Sequence, residues 1–120
     1  MAQAEEKLRY RPELDILYYN QGEKSKNSLD IGNITLDFGR KGQIVGLEIH
    51  KASKTLSDLT GGNIQREQLK KIEDIAIKVN YQQDAAMIVI LLYYPVQSGV
   101  EQESINLSMA KDAVGPKATA

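Results

Sequence analysis

The chain has 120 residues, no cysteine, one histidine, and 15 basic against 16 acidic residues. Disulfides and thiolate catalysis are excluded outright, and a closed structural zinc site within one chain lacks its ligands. A net charge of −1 argues against a general electrostatic grip on nucleic acid, which shows as a basic excess.

The length suits one domain, expected over residues 7–110, with residues 1–6 and 111–120 as flexible tails. The start "MAQAEEKLRY" is polar and acidic, without an apolar stretch behind a basic one, and the apolar runs are far shorter than the roughly 20 residues that span a bilayer. A cytoplasmic location without membrane association is the expectation.

From the N-terminus, "LRYR" and "DILYYN" flank "RPELD", where Pro12 presets a turn, and read as a hairpin. "NQGEKSKNS" reads as a polar loop. "NITLDFG" alternates cleanly, with Ile34, Leu36 and Phe38 on one face. "QIVGLEIH" answers it with Val45, Leu47 and Ile49. The expected register pairs Phe38 with Gln43, Leu36 with Val45 and Ile34 with Leu47, around a turn holding Gly39 and Gly42. Gly46 is out of place inside a strand; a bulge or a close backbone approach is the usual reason.

"ASKTLSDLTGGNI" reads as a connector, and Asn63 as the cap of a short helix running to about Ile72. "DIAIKVNY" alternates again, "AAMIVILLYYP" follows, and "ESINLSMA" returns with Ile105, Leu107 and Met109 on one face. The expected fold class is α+β and mainly antiparallel: a four-strand meander, one short helix, then a three-strand meander.

The run Met87, Ile88, Val89, Ile90, Leu91, Leu92, Tyr93, Tyr94 contains no polar residue apart from its tyrosine hydroxyls. A half-buried strand should alternate, and this one is apolar on both faces. Its predicted neighbours are apolar on one face only. Leaving four large side chains wet would forgo roughly 1.5–3 kcal/mol each. The second face therefore requires another layer or a second copy of the chain, and these eight residues are the predicted interface of a homo-oligomer, a dimer by preference.

No nucleophile–base set, phosphate-binding loop or dinucleotide fingerprint is legible, so no catalytic, metal or cofactor residue is assigned and no cofactor is called. Asp37 and Glu48 share the polar face of a predicted hairpin, where solvated strand carboxylates are the simpler reading. Asp15 reads as a turn residue, and His50 as a surface histidine. Arg40, Lys41, Lys51 and Lys54 lie around the two ends of the fourth expected strand and are the residues of an alternative, nucleic-acid-associated reading.

Tyr10, Pro12, Glu13, Asp15, Leu17 and Tyr18, followed by Asp37, Gly42, Val45, Gly46, Leu47, Glu48, Ile49, Ala52 and Ser53, resemble the pattern of a widespread family of small bacterial and archaeal proteins of unknown function. That pattern is Tyr-x-Pro-Glu-x-Asp, Leu-Tyr, an Asp, a Gly, Val-Gly-Ile-Glu-Ile and Ala-Ser. The likeness covers about residues 8–54 and implies no activity or catalytic residue; the remainder resembles an extension of longer archaeal members. It also brings an antitoxin-like regulator as an alternative. The leading functional reading is a non-catalytic binding or interaction module that works as a homo-oligomer or with a protein partner. An enzyme of unrecognised type is the third reading.

Overall fold

The structure is a computed structural model and describes residues 7–81, 83–96 and 99–110; the two expected tails lie outside these. Five strands come first: β1 (Lys7–Arg11), β2 (Ile16–Asn20), β3 (Asn27–Ile31), β4 (Ile34–Phe38) and β5 (Ile44–Ile49). Then follow α1 (Ala52–Thr60), a single turn α2 (Arg66–Leu69), and β6 (Asp74–Tyr81), β7 (Ala85–Val96) and β8 (Gly99–Ala110). Every strand pairing is antiparallel. The α+β class holds, and the second sheet is the expected meander, ordered β6-β7-β8.

The first sheet is not a four-strand meander. It has five strands in the order β1-β2-β5-β4-β3, a Greek-key arrangement. The extra strand, β3, lies in and just after the stretch read as a polar loop. It is an edge strand whose only apolar residues, Leu29 and Ile31, are half-buried, so alternation is weak there. It turns into β4 through Gly32, which adopts φ 58°. β5 is the most thoroughly buried strand of this sheet, and it takes the centre between β2 and β4.

The β4–β5 register pairs Ile34 with Ile49, Leu36 with Leu47 and Asp37 with Gly46, then slips so that Phe38 meets Ile44. The expected register was two residues off at Ile34 and Leu36 and one residue off at Phe38. Alternation fixes which face a residue takes, and a shift of two preserves it. The slip is a bulge at Val45, which is wholly buried. Of the two turn glycines, Gly42 takes a positive φ of 80°, whereas a Cβ on Gly39 would lie 2.9 Å from Val45 Cγ1.

The main helix is α1, in the stretch read as a connector; only α2 falls within the helix expected at 63–72, and its N-cap is Gln65 rather than Asn63. α1 buries just Ala52 and Leu56. Two residues four apart make one helical face but leave a faint signal in sequence. Gly61 ends the helix at φ 73°, the usual left-handed terminus.

One continuous core joins Leu17, Leu36 and Leu47 of the first sheet, Leu56 of α1, and Ile88, Ile90 and Leu92 of the second. The two sheets thus cover each other, with α1 against β8. No helix among the described residues is long and apolar enough to cross a membrane.

Candidate functional site

The strongest polar constellation joins the first hairpin to α1. Pro12 sets the turn after β1, and Asp15 closes it in the left-handed conformation at φ 54°. That places the Asp15 backbone carbonyl where Ala52 N–H donates to it at 2.7 Å. The Asp15 carboxylate then accepts from Ser53 N–H at 3.0 and 3.2 Å, from Ser53 Oγ at 2.7 Å, and from the Tyr10 hydroxyl at 2.5 Å. Arg66 stands 3.7 Å from the same carboxylate and donates to the Pro12 carbonyl at 3.1 Å. Lys51, which precedes the helix, gives it no side-chain cap. A carboxylate 38 residues away in sequence satisfies the Ser53 amide that a local Ser or Asp cap would normally take.

Asp15 is only 5% exposed. Burial alone would raise its carboxyl. The hydrogen bonds from Tyr10 and Ser53, with the Arg66 charge, outweigh burial and hold it below the usual carboxylate range. Burial, then the bond to Asp15 and that carboxylate's charge, raises the Tyr10 phenol. A serine donating to a carboxylate suggests nucleophile and base. A base for neutral pH needs a raised pKa and a free lone pair, and here the acceptor sites are spent on the helix terminus. Asp15 is therefore more than the turn residue read from sequence: it is a structural clasp. Its partners are too distant in the chain for spacing to reveal.

The outward face of the first sheet holds the other expected polar residues. One row crosses all five strands as Arg9, Tyr18, Glu48, Thr35 and Asp30. The next row sets Asn20 and Asp37 on either side of Gly46. A Cβ there would lie 2.8 Å from the Tyr19 carbonyl oxygen, and 3.2 Å from both Asn20 Nδ2 and Asp37 Oδ2. The backbone at Gly46 is not left-handed, so it is space that requires glycine. Both expected reasons for this residue hold, since the bulge falls beside it. Gly46→Ala is expected to cost about 1–3 kcal/mol in urea unfolding, because a strand carbonyl cannot swing away; an unchanged midpoint would contradict this.

A shallow depression of about 490 Å³ lies over this glycine, lined by Arg9, Arg11, Tyr18, Asn20, Asp37 and Glu48. Asp37 accepts from Ser28 Oγ at 2.8 Å. Glu48 Oε1 lies 2.5 Å from His50 Nε2, a contact within one strand end that the sequence reading did not make. Asp37 and Glu48 thus engage different partners. Among the described residues, no three His, Asp or Glu side chains are grouped to hold a metal ion.

The four basic residues of the nucleic-acid reading are not brought together. Arg40 and Lys41 lie in the loop before β5, and Lys51 and Lys54 beyond its other end. Six residues of strand separate them, about 20 Å, and Lys54 is paired with Asp58 at 3.0 Å.

The eight residues of the apolar run divide strictly by parity. Ile88, Ile90, Leu92 and Tyr94 are 0–1% exposed in the chain's own core. Met87, Val89, Leu91 and Tyr93 point outward and are half-buried. The register pairs them with Ser108, Asn106, Ser104 and Gln102 of β8, and with Asn80, Lys78, Ala76 and Asp74 of β6. The outward face is thus one apolar stripe whose register partners are polar except for Ala76.

Residues 7–53 match a family described as "Protein of unknown function (DUF2283)". The matched stretch runs from the start of β1 to Ser53, and so includes the whole first sheet and both ends of the clasp. The "Uncharacterized protein MJ0789" of Methanocaldococcus jannaschii is 39% identical over 79 residues, which cover 62% of this chain and 68% of the relative. No solved structure matches at a significant level. With its matching sheet and this relative, the chain belongs to that family of proteins of unknown function.

Proposed function

We propose that the protein is a non-catalytic interaction module that works as a homo-oligomer. The observation that carries this reading is the outward half of β7. Met87, Val89, Leu91 and Tyr93 lie on a sheet face that no layer among the described residues encloses, half-buried where their inward neighbours are wholly so. Covering such a stripe recovers apolar burial that the monomer forgoes. The clasp supports the non-catalytic part, since the one buried carboxylate among the described residues is committed to a helix terminus.

Sedimentation of the wild-type chain over a range of concentrations tests this. The weight-average mass should rise above the monomer value as concentration increases. A monomer throughout would remove the reading.

A further inference from the structure

Self-association leaves two routes on the second sheet, its outward face and its edge strands. We infer that the contact is face to face: the outward face of the β6–β7–β8 sheet packs on the same face of a second copy, with the two-fold axis along β7. This rests on the self-association proposed above and specifies where it occurs.

Strand edges are the usual sites for adding another chain, and proteins guard them with short strands, lysine, proline or inward charges. Each edge here carries such a guard. β1 and β3 have five residues each, and Pro12 follows β1 directly. β6 carries an exposed Lys78 at its middle. β8 is the one long edge, at 12 residues. Its register puts Glu101 and Glu103 opposite Tyr94 and Leu92, both inward-facing and buried. Two acidic residues therefore stand within that edge, and their charge disfavours a further strand.

The face has the opposite character. The register partners of the stripe include two charges, Asp74 and Lys78, of opposite sign, and those on β8 are all uncharged. The outward rows of the first sheet instead carry Arg9, Asp30, Asp37 and Glu48. Interface centres are depleted in charge and enriched in methionine and aromatic residues, as Met87 and Tyr93 are here. A two-fold axis along β7 lays the stripe on its own copy and lays β6 on the partner's β8. Asp74 and Lys78 then meet polar uncharged residues, and no like charges face each other. The stripe and its margins give a footprint of roughly 400 Å², from strand spacing and rise, about half of what each partner contributes to a standard interface. The contact is consequently reversible, with dissociation at micromolar or higher concentration.

The cysteine-free sequence makes the test direct. Facing sheets stand about 10 Å apart, whereas paired edge strands lie about 4.8 Å apart. Leu91→Cys and Val89→Cys should each give a covalent dimer with a short bismaleimide, because the two-fold axis sets each residue beside its own copy across the gap between the sheets. Leu91→Lys and, as a second variant, Val89→Lys should weaken association at least tenfold while retaining the wild-type circular dichroism spectrum. If either lysine variant folds and associates as well as wild type, or if Ser104→Cys on β8 forms a disulfide dimer in air, the face assignment fails and self-association stands. A wild-type chain that remains monomeric overturns both.

Discussion

Asp15→Ala is expected to lower unfolding stability by roughly 2–4 kcal/mol, with a fall in melting temperature on the order of 10 °C. The substitution removes the acceptor for Ser53 N–H, Ser53 Oγ and Tyr10 at once, and each donor is left part-buried. A cap alone contributes about 1 kcal/mol; the stranded donors supply the rest. The effect should exceed that of Ser53→Ala, which removes one hydroxyl bond and leaves the amide cap in place. Thermal melts of the two variants check this, and equal effects would contradict it.

The same carboxylate gives a pH dependence of defined sign. Its folded pKa lies below its ordinary value, which for an unfolded aspartate is about 3.9. Its contribution is complete above that value and is lost as pH falls through the lower folded one. Asp15→Asn keeps the shape and removes the titration. Its stability should therefore decline less steeply with acid than that of wild type below about pH 4. Parallel acid limbs for the two proteins would contradict this.

The second large effect separates two neighbouring residues. Ile90→Lys should abolish the folded state or cost several kcal/mol, because Ile90 is 0% exposed between the sheets and an ammonium there has no partner. Leu91→Lys should stay within about 1 kcal/mol of wild type, since its head reaches water along the outward face. Urea unfolding of the pair measures the difference. Similar losses at both positions would mean that both faces of β7 lie within one chain.

Much of this architecture was legible because alternation is a local signal. The inward sets of β4, β5 and β6 follow from period two, and the double apolar character of β7 marks it as the centre of its sheet. Alternation fixes register only modulo two, so the bulge at Val45 displaced the expected pairing of Leu36 while leaving its face correct. β3 was hidden because an edge strand with a wet face needs few apolar residues. α1 was hidden because its burial rests on Ala52 and Leu56, whereas Leu69 and Ile72 gave a comparable pattern farther on. The clasp was illegible from spacing. Asp15 and Ser53 meet only once β2 and β5 are paired, and the one sequence trace of that meeting is the family pattern holding both residues.

The central claim is that each face of β7 has its own cover, the inward one from the same chain and the outward one from a second copy. Methyl NMR of the wild-type protein during dilution tests it most directly. The signals of Met87, Val89 and Leu91 should shift as the dimer dissociates, while those of Ile88, Ile90 and Leu92 stay nearly in place. Signals on the outward face that do not respond to dilution, or shifts confined to the edges β1, β3 or β8, would contradict it.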